Sequence, residues 1–332
     1  MYSFSKVCMG NDNPAHSVSV IIVNYNSRDL LEQCLRRIEA QTLKGFKTII
    51  VDNGSTDGSI ECLKSEVNRC RVIFNRHNIG FAAANNLAIR EAKTEWVALL
   101  NPDAFPEPEW IANLMLAARN SPDYSFFASK LLSAGNPRVL DGAGDHYHVS
   151  GLIWRRGHGT SAQGEMNEPR EVFAPCAAAA LYRRSALIEA GGFDEDFFCY
   201  VEDVDLGFRL RLAGHRCLYV PQAAVLHVGS ATTGKKSDFC VYHGHRNLVW
   251  AFLKNMPMPL FAACLPGHIM LNLTSLFWFA ILGQAATILR SKRDAVFGLP
   301  KMWHKRQRIQ RTRVATVSEI WRVLDKRLFR RL

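Results

Sequence analysis

Five short clusters hold side chains of types that do chemistry. Asp52-Asn53-Gly54-Ser55-Thr56-Asp57-Gly58 starts a turn with a carboxylate, which can accept hydrogen bonds from a nucleotide's base or ribose; taken alone, its Asn-Gly and Asp-Gly pairs also read as an ordinary turn. Asn78-Ile79-Gly80-Phe81 opens an Ala-rich stretch with Asn85-Asn86. A glycine there lets backbone N–H groups approach a diphosphate, and it serves close helix–sheet packing equally well. Asn101-Pro102-Asp103 follows an apolar run, and a carboxylate fixed by a proline suits a divalent cation that also holds phosphate oxygens. Gly191–Phe198 and Glu202-Asp203-Val204-Asp205-Leu206 mix acids with aromatics. Asp203 and Asp205 stand two apart and cannot share one helical face, so one can face a cleft while the other caps or pairs. A carboxylate between apolar walls binds a proton more tightly and suits a general base. His227, closing Val225-Leu226-His227, can ligate a metal through a ring nitrogen.

These clusters need elements to hold them. Val18–Val23, Thr48–Val51, Val72–Phe74 and Trp96–Leu100 are apolar, β-branched runs, as expected of strands buried on both faces. Helical spacing follows each of the first three: Leu30 to Ile38 with Asn26 or Ser27 as cap, Ser59–Glu66, and Phe81–Ala92. Such repeated units predict a parallel, helix-covered sheet. In those sheets ligands sit beyond the carboxyl ends of the strands, where Asn24, Asp52, Asn75 and Asp103 fall. No G-x-G-x-x-G occurs in these turns, which argues against a Rossmann dinucleotide site. Residues 120–170 predict loops and a sheet extension. Within them Gly142–Gly159, carrying His146, Tyr147, Trp154, Arg155 and Arg156, reads as a surface loop or as a wall for an acceptor. A helix at Val204–Leu212 and strands at Cys217–Val220 and Val225–His227 complete the pattern.

Charged residues at 21% and aromatics at 10% exclude a disordered chain. The nine cysteines are odd in number and form no C-x-x-C, so reduced thiols are expected rather than disulfides or zinc. The N-terminus lacks the basic start and apolar core of a secretory signal. The net charge of +11 lies wholly in Arg290–Leu332, which holds 14 Lys/Arg and three Asp/Glu; the body carries 27 of each sign. A neutral body argues against nucleic acid, and a basic tail suggests an anionic surface. Before that tail, Asn255–Leu289 contains no Asp, Glu, Lys or Arg. A single span would put the basic cluster opposite the folded body, against the positive-inside bias. Pro266-Gly267 instead predicts a break, giving a hairpin or two in-plane helices with Lys301–Arg313 returning to headgroups.

Together VSVIIVNYNS, IIVDNGSTDGS, NIGFAAANN, LLNPDA, GGFDEDFFCYVEDVDLGFRL and LHVGS resemble, in order, the family 2 glycosyltransferases, inverting enzymes of GT-A fold, over roughly residues 17–250. The NPD form and the C-terminal part are most similar to the bacterial rhamnosyltransferase-type subgroup. The resemblance implies an α/β GT-A domain with a mainly parallel central sheet over 17–250, a tail over 1–16, and a helical membrane-associating region over 251–332. It implies that Asp52 contacts the donor nucleotide, with Asn24, Asn78, Gly80 and Asn101 in the donor site. Asp103 becomes the metal-binding Asp of the family's D-x-D element, His227 a second ligand for Mg²⁺ or Mn²⁺, and Asp203 the catalytic base. The chain departs from D-x-D at Asn101, where the first Asp is expected, as this subgroup commonly does. The implied substrates are a nucleoside-diphosphate sugar, rhamnose among the candidates, and a lipid-linked or polysaccharide acceptor. The expected setting is the cytoplasmic face of the inner membrane, touched through 255–313. Two other readings fit the same features: a transferase acting on polyprenyl phosphate, and a catalytically silent nucleotide-sugar-binding scaffold.

Overall fold

A computed structural model describes residues 17–66, 69–229 and 237–327. The 1–16 tail and Ser230 of the LHVGS motif lie outside them. Strands β1 (Val18–Asn24), β2 (Lys47–Asp52), β3 (Arg71–Phe74) and β4 (Trp96–Leu100) alternate with helices α1 (Arg28–Glu39), α2 (Ser59–Glu66) and α3 (Phe81–Glu91). All four strands are parallel, in the order β3-β2-β1-β4. Alternate residues of β1 enter opposite layers. Val18, Val20 and Ile22 pack with Leu31, Leu35 and Ile38 of α1, while Ile21 and Val23 pack with Ala82, Ala84 and Ala88 of α3. That two-sided burial is why these runs are uniformly apolar. The cap of α1 differs from expectation. Ser27 occupies the N-cap position but its hydroxyl turns to Tyr25 O, and Asp57 takes the Arg28 N–H at 2.9 Å.

Beyond β4 the sheet is mixed. After β5 (Ala104–Pro106) and α4 (Trp110–Asn120) come β6 (Phe126–Ser133), β7 (Asn136–Gly142), β8 (Asp145–Tyr147), β9 (Ile153–Arg155), β10 (Arg170–Val172) and β11 (Ala179–Arg183). Strand β11 runs antiparallel to both β4 and β6. Residues 217–227, expected as two strands, form one, β12 (Cys217–His227), parallel to β6, with its register shifting between Val220 and Ala224. Pro221 falls in that irregularity, where a residue without an N–H does no harm to the ladder. The Gly142–Gly159 stretch is a hairpin, β8–β9, and not a plain loop.

Helices α5 (Arg184–Glu189), α6 (Glu202–Leu212), α7 (Asp238–Asn255), α8 (Met258–Ile281), α9 (Ala285–Arg311) and α10 (Val317–Val323) complete the chain. The expected break at Pro266-Gly267 is absent. Helix α8 continues through Pro266, and the turn comes at Leu282–Gln284, with Gly283 at φ 78°. Packing of Leu260, Cys264 and His268 against Tyr147, Phe252 and α10 holds α8 together across the proline. Part of the basic cluster 301–313 is used within the protein, while Lys301, Arg308 and Arg311 stay exposed. Lys301 and Lys305 reach Asp196, Lys305 also reaches Asp194, and buried Arg306 donates to Leu253 O and Met256 O at 2.6 Å.

Candidate active site

Ladder register brings Asn24 of β1 level with Asp52 of β2. Asn24 Nδ2 donates to Asp52 Oδ1 at 3.0 Å and to Ser55 Oγ at 3.1 Å; Ser55 N donates to Asp52 Oδ2 at 3.0 Å. Asp52 is fully buried with both oxygens engaged. Its side chain shapes the turn, each oxygen accepting one of these bonds. Asn24 Oδ1 is buried and has no hydrogen-bond partner among the described residues. Asn53, not singled out from sequence, ties the next turn down. Its Nδ2 reaches Asn78 Oδ1 at 2.9 Å and its Oδ1 accepts from Asn75 Nδ2 at 3.0 Å.

Asn78 and Gly80 are held by the turn and by the 198 segment. Asn78 Oδ1 takes the Gly80 N–H at 2.8 Å, and Phe198 O takes that of Ala82 at 3.2 Å. A Cβ on Gly80, at φ 88°, would stand 2.6 Å from the Phe198 ring. Glycine is needed there for the approach of the 198 segment, whose Phe198 O takes one N–H of the first turn of α3.

Asp103 and His227 do meet. Strand β5 pairs with β12 so that His227 lies opposite Ala104, next to Asp103. His227 Nε2 is 3.5 Å from Asp103 Oδ1, and its Nδ1 is 2.7 Å from Asp141 Oδ2. Both Asp103 and His227 are buried. Burial pushes the His227 pKa down, but hydrogen bonds from Asp103 and Asp141 outweigh it and the result lies above the ordinary value. Asp141, which no sequence signal marked, is held by Arg155 and by His158, 3.4 Å away. Burial would raise its pKa, yet His227 and Arg155 bring it below the usual carboxylate range. A carboxylate and an imidazole side by side, the imidazole's far nitrogen bound to a second carboxylate, is the donor set and backing that divalent metals use. Among the described residues no third His, Cys, Asp or Glu completes a cluster with them. Asn101, half-buried at the end of β4, is anchored through its backbone N–H to Ala178 O at 2.9 Å.

Asp203 lies in the first turn of α6. Its Oδ2 accepts from Ala177 N at 3.1 Å and its Oδ1 from Val204 N at 2.8 Å. Burial raises its pKa, and those N–H groups and Arg155 offset this only in part. Asp145 is buried nearby and pushed up to about 8, first by burial and then by the Asp203 charge. Arg155 carries a positive charge beside these carboxylates and lowers the proton affinity of Asp141, Asp145 and Asp203 alike. Asp205 points the other way, as the two-residue spacing required: Arg209, Lys254 and Asn255 bind it at 2.8–2.9 Å. The backbone leading into α6 is unusual, with Phe198, Tyr200 and Val201 at φ 66°, 67° and 71°. A β-branched residue there is a genuine outlier and needs support. Buried Asn247 of α7 supplies it, its Nδ2 lying 2.7–3.0 Å from the carbonyls of Phe197, Cys199 and Tyr200.

Comparison with known proteins gives these positions a family. Residues 19–191, just over half of the chain, match the family model described as glycosyl transferase family 2. The chain is similar to the N-acetylglucosaminyl-diphospho-decaprenol L-rhamnosyltransferase of Mycobacterium tuberculosis, 33% identical over 242 residues, covering 65% of this chain and 77% of that protein. Among solved structures it is similar to mannosyltransferase PcManGT from Pyrobaculum calidifontis, in complex with GDP-Man and Mn²⁺: TM-score 0.55, 18% identity, 93% of this chain and 89% of that one. It also resembles GalNAc-T7 with UDP, GalNAc and Mn²⁺ at TM-score 0.59 and 17% identity, over 72% of this chain and about half (48%) of that one. The fold is that of these GT-A enzymes, and the chain belongs to glycosyl transferase family 2 and is a glycosyltransferase.

Proposed function

We propose that the chain transfers a sugar, rhamnose being the first donor to test, from a nucleoside diphosphate to a hydroxyl of a lipid-linked or polysaccharide acceptor, inverting the anomeric carbon. The observation that carries this reading is the set Asp203, Arg155, Asp141, His227 and Asp103: a half-buried base within the field of Arg155, which itself bonds Asp141 behind a metal-type pair. The named activity of the mycobacterial relative supports the choice of donor and acceptor.

Asp203 takes the acceptor hydroxyl proton while that oxygen attacks the anomeric carbon and the bond to the diphosphate breaks. Its raised proton affinity suits this task, and such a base typically contributes about 10²–10⁴-fold. Arg155 balances charge between Asp203 and Asp141. Asp103 and His227 would hold Mg²⁺ or Mn²⁺, which when bound neutralises charge on the leaving diphosphate. Asp141 keeps His227 turned with Nε2 toward Asp103. Asn24, Asp52, Asn78 and Gly80 form the framework of the donor turn, and Asn101 stands at its rim.

The 17–250 and 251–332 division is proposed as a functional one, the second part seating the enzyme on the cytoplasmic face of a membrane. Helix α8 is long and apolar enough to cross one, by length and composition. Its exposed Ile269, Leu273, Phe277 and Ile281 recur every four residues, and Leu289, Val296 and Phe297 of α9 are exposed as well. Such a stripe suits an interfacial hairpin.

The test is release of nucleoside diphosphate from dTDP-rhamnose, UDP-hexoses and GDP-mannose, with and without a lipid-linked acceptor. Acceptor-dependent release is expected from one donor, and no release from any donor would leave the scaffold reading. For the membrane, a Phe277→Ser/Trp278→Ser/Phe297→Ser variant should leave the pellet fraction in low salt; soluble wild-type protein would end that part.

A further inference from the structure

The β8–β9 hairpin lines a cleft of about 1000 Å³ whose opposite wall is residues 323–327. The cleft gathers cations: Arg156, Arg170, Lys326 and Arg327. Two of its acids are already paired, Asp325 within the cleft, where it offsets Arg327. Glu171 pairs with Arg211 and Arg216, and Asp325 with Arg327, leaving Glu165 as the remaining carboxylate of the lining. Arg156 is the informative member. It is 93% buried by its 7% exposure, lies over the Tyr219 ring at 5.5 Å, and its Nη1 has no hydrogen-bond partner among the described residues. A buried guanidinium donor left unmade is costly and calls for an acceptor. Several converging cations call for one with more than one negative charge.

The position of the cleft says what else that anion carries. At its base the hairpin ends in Arg155, which bonds Asp141 and so adjoins the reaction centre; His158, also in the lining, contacts the same carboxylate. At its tip, Ser150 O is 2.8 Å from His268 Nδ1 of the apolar helix α8, and a Cβ on Gly151 would stand 2.8 Å from the same ring. One hairpin therefore joins the reacting groups to the apolar helix, with the cationic cleft along its side.

We propose that this cleft, through Arg156, Arg170 and Lys326, binds the phosphate or diphosphate group of a lipid-linked acceptor whose chain lies against α8 and whose sugar points to Asp203. The inference rests on the reading that the acceptor is lipid-linked, and it adds the site and the charged group recognised there.

The test is calorimetric titration of the full-length protein in non-ionic detergent with farnesyl diphosphate, farnesol, inorganic pyrophosphate and, separately, UDP or dTDP with Mn²⁺. Farnesyl diphosphate should bind and farnesol should not. Arg156→Gln and, independently, the exposed pair Arg170→Gln/Lys326→Gln should each weaken farnesyl diphosphate by about tenfold or more, the loss of a charge-assisted contact. Nucleotide binding should stay unchanged, which also shows that the variants are folded. Wild-type affinity for farnesyl diphosphate in the exposed double variant would overturn the proposal. So would pyrophosphate binding as tightly as farnesyl diphosphate, because the anion would then be free phosphate or the donor's own. Arginine-dependent binding in a protein that turns over no donor would leave the site standing while the proposed reaction fails, and turnover with variant-insensitive binding would do the reverse.

Discussion

Around Asp52 the buried polar groups other than that carboxylate are neutral: Asn24, Asn53 and Ser55, joined to Asn75 and Asn78, partners 22–31 residues apart. Beneath Asp203 they are ions. Lys254 Nζ sits 2.5 Å from Asp194 and 2.9 Å from Asp205, Lys305 reaches Asp194, and Arg209 closes on Asp205, with partners up to 111 residues apart. Neutral amides cost little to bury and each bond contributes about 0.5–1.5 kcal/mol net. Buried ions cost much more to desolvate, so their network is tolerant as a whole and intolerant of losing one member. The donor turn is thus adjustable, whereas the start of α6 is held by an arrangement that changes only by breaking. That rigidity suits the place where the proposed base is presented.

The largest expected effect is on turnover. Asp203→Asn should lower kcat by about 10²–10⁴-fold with nucleotide affinity nearly unchanged; a variant keeping more than about a tenth of wild-type kcat shows that another group is the base. Next, Lys254→Met should cost about 3–5 kcal/mol, because Asp194 and Asp205 lose their shared cation. Asn53→Ala in the donor turn should cost only about 1–3 kcal/mol. Urea unfolding of both variants measures the contrast, and equal losses would dissolve it. Asp141→Asn should weaken Mn²⁺ binding in the presence of nucleotide by about 10–100-fold, as for other carboxylates behind a ligating histidine. The manganese signal in electron paramagnetic resonance reads this without turnover.

The smallest effect is on pH. Burial opposes ionisation of Asp194, but Lys254 and Lys305 overcome it and hold its carboxyl well below the usual range. A depressed carboxyl stabilises the fold fully above its unfolded value of about 4 and loses that contribution as pH falls through its folded one. Lys305→Ala should therefore flatten the dependence of stability on pH below about 4 and leave the slope near pH 7 unchanged. Acid titration followed by circular dichroism checks it.

Legibility differed between the same two regions. Strands β1, β2 and β4 and the helices between them were readable because both strand faces are buried and the turns are short. In such a sheet, polar residues at strand ends meet without further information. Asp103 and His227 were readable as a pair of ligand types, although their separation depends on β5 pairing with β12. Asp141, Asp145 and Asn247 were not, since a lone Asp in an edge strand or an Asn in a helix carries no mark of its partners. The Pro266-Gly267 break failed for a related reason: local propensity gives way when a helix is packed along its length.

From sequence alone came the α/β repeat, the strand-end polar residues, the opposed faces of Asp203 and Asp205, and the uncharged run before a basic tail. Each follows from periodicity or local stereochemistry, which act over a few residues. Tertiary structure decided how Asp52 and Gly80 are held, that Asp141 backs His227, that Lys305 and Arg306 turn inward, and that Arg156 Nη1 has no hydrogen-bond partner among the described residues. Those outcomes depend on what lies across a contact from residues far away in the chain, and burial and electrostatics are set there.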